Sequence, residues 1–250
     1  MAIKKNIPLL IKLFFAIEIL LGLAHIFIHV FPVYDTLFLF LDLDNEGNIP
    51  TWFSSAQLLI VGVLMMGFVI GKYQQNERAY TMVLGSLGFI FLSLDEIVQL
   101  HELFGSICDM LLPDGNRKRT IFQKTGFWMV FLAPIFLGLF WAWWRSIKDY
   151  LVGFAGKGKL LMGILVFVGG ATIPEIFSNF AQGNLMVVVV LVEELGEMAG
   201  ITLFLWGVYE LCISHKISID FTYSAGDKKL LFQNRIIRDS PLCVKPKLTS

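Results

Sequence analysis

The chain has 250 residues, of which 56% are hydrophobic and only 16% charged, with 23 Phe and a mean hydropathy of +0.70. Soluble domains carry about a quarter charged residues, so the composition argues against a soluble globule and for a polytopic membrane protein. The formal net charge of +0 gives no global attraction for nucleic acid, and Cys108, Cys212 and Cys243 form neither a CxxC nor a paired framework for a zinc ribbon or a disulfide scaffold.

A spanning helix needs about 20 predominantly apolar residues. Six windows qualify: 8–31, 52–71, 80–104, 126–145, 159–182 and 185–213. The first follows Lys4 and Lys5 as a signal peptide would, but its apolar run is too long and no small-x-small cleavage site follows it. It is read as a retained span. Along it Glu18, Gly22, His25 and His29 recur every three or four residues and so share one helical face.

Between spans 1 and 2, "DLDNEGNIPTWF" (42–53) matches an EF-hand loop at Asp42, Asp44, Glu46 and Gly47. Phe53, however, stands where a bidentate Glu is needed. The plainer expectation is a turn running into Pro50, a helix start at Thr51 or Ser54, and Trp52 at the membrane interface. Span 2 has no charged stripe. Span 3 places Asp95, Gln99 and Glu102 on one face, with Glu96 and His101 beside it. Span 4 also lacks a stripe and ends on Trp141, Trp143, Trp144 and Arg145, an interfacial anchor. Span 5 aligns Glu175, Asn179 and Gln182. A tight turn at Gly183 and Asn184 then leads to span 6, whose stripe is Glu193, Glu197 and Gly200. Glu194 points about 100° away from that stripe. The Gly196/Gly200 spacing reads as close helix packing. After Ser214 the composition turns basic, so residues 1–213 are read as the membrane domain and 214–250 as a partly ordered cytoplasmic tail.

Lys and Arg in short loops set orientation. Lys4, Lys5, Lys12, Lys72, Arg78, Arg145, Lys148, Lys157 and Lys159 fall on one side, together with the tail. The first opposite loop holds Asp35, Asp42, Asp44 and Glu46 with no base. Only Arg117, Lys118, Arg119 and Lys124 dissent. The expectation is an all-α, six-helix transmembrane bundle with both termini cytoplasmic. At about 1.5 Å per residue, Asp95, Glu96, Glu193 and Glu194 lie roughly 12–14 Å inside the outer surface, Glu175 roughly 10 Å and His25 roughly 9 Å. Spans 1, 3, 5 and 6 should therefore surround a polar cavity in the outer half, with spans 2 and 4 as outer scaffold.

Each ionised group at a bilayer centre costs roughly 2.5–3.5 kcal/mol. Glu18, Asp95, Glu96, Glu102, Glu175, Glu193, Glu194 and Glu197 face only His25, His29 and His101, with no Lys or Arg in the outer half of any span. Such a cluster must hold protons, bind cations or open to water. Carboxylates mixed with imidazoles are the ligands of a metal site in a helical bundle. The expected ligands are His25, His29, Asp95, Glu102, Glu193 and Glu197, with Glu96, His101, Glu175, Glu194 and Glu18 as secondary groups. The expected cofactor is one or two divalent ions of zinc, iron or manganese.

The segments "EGNIPTWFSS", "FLSLDEIVQLHE" and "VEELGEMAG" together resemble a group of uncharacterised bacterial integral membrane proteins. The resemblance covers spans 1 to 6 but not the tail, and it implies the inner membrane of a bacterium. The chain lacks the paired ExxH of soluble di-iron bundles and the eight-histidine pattern of membrane desaturases.

Three functions fit these residues. A metal-dependent membrane enzyme, an oxidoreductase or a hydrolase, would act on a lipid-phase substrate entering between helices. A transporter would use the carboxylates as proton or cation relays. A haem protein would set His101 against His25 or His29. The apolar inner halves of spans 3 and 6, and the lack of an interrupted helix pair, favour a one-sided site and hence the enzyme. Lipid is the expected partner, and nucleic acid is not.

Overall fold

Hydrophobic segments of this length, unable to leave backbone groups unpaired in lipid, form helices. The structure, a computed structural model, describes residues 7–31, 35–75, 77, 79–110, 112, 128–217, 221–223 and 230–232. Its body is helical: α1 (Leu9–Val30), α2 (Asp35–Leu41), α3 (Ile49–Gln74), α4 (Tyr80–Val98), α5 (Leu100–Asp109), α6 (Trp128–Ile147), α7 (Lys157–Ser178) and α8 (Asn184–Ser214). In the tail, β1 (Phe221–Tyr223) and β2 (Leu230–Phe232) pair antiparallel with Phe221 opposite Phe232. The basic loop at 114–124, Lys4, Lys5, Arg78 and the rest of the tail lie outside the described residues.

Six spans were the expectation. Among the described residues, four helices are long and apolar enough to cross a membrane, namely α1, α3, α4 and α7. The other two windows are helical as well, forming α6 and α8. Glu193, Glu194, Glu197 and Glu210 interrupt the apolar run of α8. Pro134 lies inside α6, which ends at Arg145 and Ile147.

Helix α8 is the centre of the bundle. It forms a hairpin with α7 and also packs against α1 and α3, while α3 and α4 form a second hairpin. Close approach between α7 and α8 depends on missing side chains. A Cβ on Gly170 would stand 2.8 Å from the backbone of Gly196 and Glu197, and one on Gly200 would meet the backbone of Phe167. The Gly196/Gly200 spacing is therefore packing, as expected. Gly22 does the same for α1 on α8, where a Cβ would meet Leu195 at 2.7 Å. The main core holds Val61, Met65 and Phe68 of α3 with Phe204, Leu205 and Val208 of α8, all essentially inaccessible.

Two expectations about the helices are corrected. Span 2 is no outer scaffold: α3 packs on α8 and buries Thr51, Ser54, Ser55 and Gln57. These polar but uncharged residues escape a search for charged stripes. Span 3 is not continuous, because Gln99 adopts φ 60° and ψ 41° and separates α4 from α5. The Asp95 carboxylate accepts the backbone N–H of His101 at 2.9 Å, a side-chain bond to backbone that competes with the helical ladder. The stripe Asp95, Gln99, Glu102 is thereby broken.

The start of α3 also moves. Asn48, rather than Thr51 or Ser54, is the N-cap: its Oδ1 accepts the Thr51 N–H at 3.2 Å, and Pro50 sits in the first turn. Asn48 Nδ2 in turn donates to the Asp42 carbonyl at 2.5 Å, and Gly47 takes φ +72°. These bonds fold segment 42–48 across one end of the bundle. Of the Trp anchor, Trp141 is exposed beneath the Arg145 guanidinium, 5.4 Å away, whereas Trp143 turns into the core.

Candidate metal centre

Helix α1 delivers His25 and His29 one turn apart, with ring centroids 4.4 Å from each other. His25 is 1% exposed. Its Nε2 lies 3.3 Å from the Val187 carbonyl of α8. A carbonyl oxygen only accepts, so this nitrogen carries the ring proton. In a neutral imidazole Nδ1 then holds the lone pair, and it accepts the Leu43 N–H at 3.2 Å. Yet the same Nδ1 is 2.9 Å from Asp42 Oδ1. Two acceptors stand that close when a proton, on the ring or on the Asp42 carboxyl, or a cation lies between them, and this would compete with the Leu43 N–H for the one lone pair of Nδ1.

His29 is fixed in a similar way. Its Nδ1 lies 3.0 Å from the His25 carbonyl, so Nδ1 donates and Nε2 bears the lone pair. That Nε2 is 3.9 Å from Asp42 Oδ1, too far for a hydrogen bond. Ligands about 2.0–2.2 Å from a tetrahedral ion stand roughly 3.4 Å apart, and the two distances of 2.9 and 3.9 Å bracket this value. Asp42 is oriented by the Asp44 N–H at 3.3 Å and by Asn45 Nδ2 at 3.2 Å. His25, His29 and Asp42 offer ligand atoms within 4.8 Å of one another.

A second group forms where α5 begins. Glu46, His101 and Glu102 also offer ligand atoms within 4.8 Å of one another. Asp95 takes the imidazole of His101 as well as its backbone, with Oδ2 3.0 Å from Nδ1. Between the two groups lies a layer of glutamates. Glu193 of α8 and Glu175 of α7 meet in a carboxyl–carboxyl hydrogen bond across the hairpin, and Glu193 also feels the charges of Glu194 and Asp44. Glu194 faces Glu96, Asp44 and Glu46, while Glu197 faces Glu194, Glu96, Glu193 and Glu175. Ser54 of α3 lies beside Glu96.

The loop carboxyls respond to this crowding. Burial, followed by repulsion from Asp42, raises Asp44 above the usual carboxylate range. Burial and then the Glu102 charge push Glu46 up to about 7. Both groups thus release their protons reluctantly unless a cation arrives.

The expected ligand set is divided by the structure. His25 and His29 come together, but the third member beside them is Asp42. Glu102 and His101 come together, but beside Glu46. Asp95 adjoins this second group through His101, and Glu96, Glu175, Glu193, Glu194 and Glu197 form the layer between. Glu18 stands apart: its Oε1 accepts Gln57 Nε2 at 2.8 Å and Thr202 Oγ1 at 2.6 Å in the closed interior. Asp42 and Glu46 were read as positions of a defective calcium loop. The available signal was their alternation with Asp44 in a loop without a base, since Asp42, Asp44 and Glu46 recur at every second residue.

Comparison with curated proteins and with solved structures gives no match. One family model, described as Domain of unknown function (DUF8692), matches residues 13–212 and so takes in both groups and the glutamate layer. The chain that folds this hairpin-centred bundle, with His25, His29, His101 and the glutamate layer at one end, belongs to that family.

Proposed function

We propose that this protein is a membrane metalloprotein whose ion is held by His25, His29 and Asp42, and that it is an enzyme acting on a lipid-phase substrate. The observation that carries the metal reading is the His25 Nδ1 to Asp42 Oδ1 approach of 2.9 Å, made while Nε2 is turned to the Val187 carbonyl. Both rings are held from behind by backbone carbonyls, the outer partners that orient metal-binding imidazoles. Imidazole with carboxylate suits zinc, iron or manganese. Such an ion would supply Lewis acidity or an activated water, and the surrounding glutamates would move protons.

Two features support an enzyme over a transporter. The bundle beyond Glu18, Gln57 and Thr202 is filled by apolar side chains such as Val61, Met65, Phe68 and Phe204, which leaves no polar path to the far end among the described residues. An apolar groove of about 270 Å³ opens between α7 and α8, lined by Leu165, Ile173, Pro174 and Val192 with Gly169 and Gly196. Its lining residues Val192 and Gly196 immediately precede Glu193 and Glu197 in the sequence. The placement of Lys72, Lys148, Lys157 and Lys159 at the opposite end supports an extracytoplasmic site and cytoplasmic termini in a bacterial inner membrane.

Elemental analysis of the purified chain tests the metal reading. The parent should carry stoichiometric metal, and Asp42→Asn should bind it at least about 10–100-fold more weakly, the loss that even an outer partner brings. A parent without metal above background would leave a His25 imidazolium paired with Asp42 as the explanation. Metal-driven ion flux in proteoliposomes would overturn the enzyme in favour of transport.

A further inference from the structure

Segment 42–48 sends three carboxyls to three neighbours. Asp42 reaches His25. Asp44 interacts with Asp42, His25 and His29 on one side and with Glu193 and Glu194 on the other. Glu46 meets His101 and Glu102. Successive side chains two residues apart therefore span the whole glutamate layer. The strap is stiff, because Asn48 ties its far end back to the Asp42 carbonyl while capping α3.

The second group has the composition of a cation site in its own right. It combines one imidazole with two carboxylates, the ligand type of non-haem iron, manganese and catalytic zinc. Asp95 binds the imidazole at Nδ1, which in a neutral ring leaves Nε2 as the lone-pair nitrogen. The break at Gln99 makes this possible: with φ at 60°, the chain turns so that Asp95 reaches back to both nitrogens, backbone and ring, of His101. A non-glycine residue adopts that conformation only at a cost in backbone strain.

We propose that Glu46, His101 and Glu102 form a second divalent-cation site, linked to the first through segment 42–48. An ion at either site draws its loop carboxylate inward and, because the strap is stiff, shifts the carboxylate that the strap carries to the other. The existence of this site rests on its own residues; only the linkage rests on the His25, His29 and Asp42 reading.

The experiment is a cation count. The full chain, purified in detergent and stripped with chelator, is dialysed against Mn²⁺ and, separately, Zn²⁺, and bound metal is measured by elemental analysis. Two ions per chain are expected in the parent. One is expected in Glu46→Gln/Glu102→Gln, whose exposed, isosteric changes leave the core intact. One is also expected in His29→Ala, with the remaining site about 5–10-fold weaker, at the low end of ordinary coupling between sites. Parent-like binding by Glu46→Gln/Glu102→Gln would overturn the second site. So would a parent with a single ion that His29→Ala removes, although the first centre would then stand. Two ions in His29→Ala would sink the first centre and leave the second. Unchanged affinity of the second site in His29→Ala would remove the linkage.

Discussion

Glu18 shows how a buried carboxyl can be met by hydrogen-bond donors in the helix core. It is 4% exposed, yet Gln57 and Thr202 both donate to its Oε1. Nothing along α1 separates it from His25, since all these residues share one helical face. The distinction comes from α3 and α8, whose Gln57 and Thr202 meet it at mid-helix. Substitution exposes the difference. Glu18→Gln keeps an accepting oxygen and the same volume, whereas Glu18→Ala leaves a cavity and takes the acceptor from the Thr202 hydroxyl, Gln57 Nε2 keeping Thr202 Oγ1 at 2.8 Å, a loss of about 2–5 kcal/mol. Thermal melts in detergent should show a clear drop for Ala and a smaller one for Gln. Bound metal should be the same in both; loss of metal with Glu18→Gln would return this residue to the site.

Among the elements, the α7–α8 hairpin determines where the glutamates stand. Gly170 and Gly196 touch through their backbones, with a built Cβ on Gly196 only 3.0 Å from Gly170 Cα. Glu175 and Glu193 hydrogen-bond because the helices are that close. Gly170→Ala should push the backbones apart and cost about 1–3 kcal/mol as an overpacked contact. Gly88→Ala in α4, where nothing lies within 4 Å of the new methyl group, serves as the control and should leave stability unchanged or slightly raised. Equal melting of the two variants would mean that the hairpin tolerates separation. The small-residue spacing of α8 was readable in the sequence. The break in span 3 was not, because Gln99 is neither Gly nor Pro, and only the capture of His101 by Asp95 ends α4.

At the scale of the whole molecule, the carboxylates packed at one end should make stability depend on pH and, with the proposed ion, on metal. The clearest group is Glu46, pushed up to about 7 from an ordinary 4.5 by burial and by Glu102. A group raised on folding contributes stability that is fully present below about pH 4.5 and lost as the pH climbs through about 7. Solvent screening keeps the contribution of this exposed side chain small. Metal bound only to the folded form opposes the loss by mass action. The gap in melting temperature between metal-loaded and chelated protein should therefore widen from pH 5 to pH 7.5 and then level off. It should shrink in Glu46→Gln. A gap that is flat across this range would reject the link between the loop carboxyl and the cation.

Hydrophobic runs of spanning length dictated the helices, since lipid allows few other solutions for a backbone. The chain order of ionisable residues likewise announced a polar layer at one end, because carboxylates and histidines are costly there without a purpose. Which of those residues come within ligand distance of one another was a matter of tertiary structure alone. Asp42 and Glu46 lie outside every span, in a loop whose path depends on the Asn48 cap and on a left-handed Gly47. Asp95, though placed on the expected face, is taken up by His101. Helical periodicity registers residues along a single rod, whereas a metal site needs lone pairs converging within a few ångströms from separate rods and the loop that straps them. That convergence depends on the docking of α1, α3, α5 and α8, which no single stretch of the chain encodes.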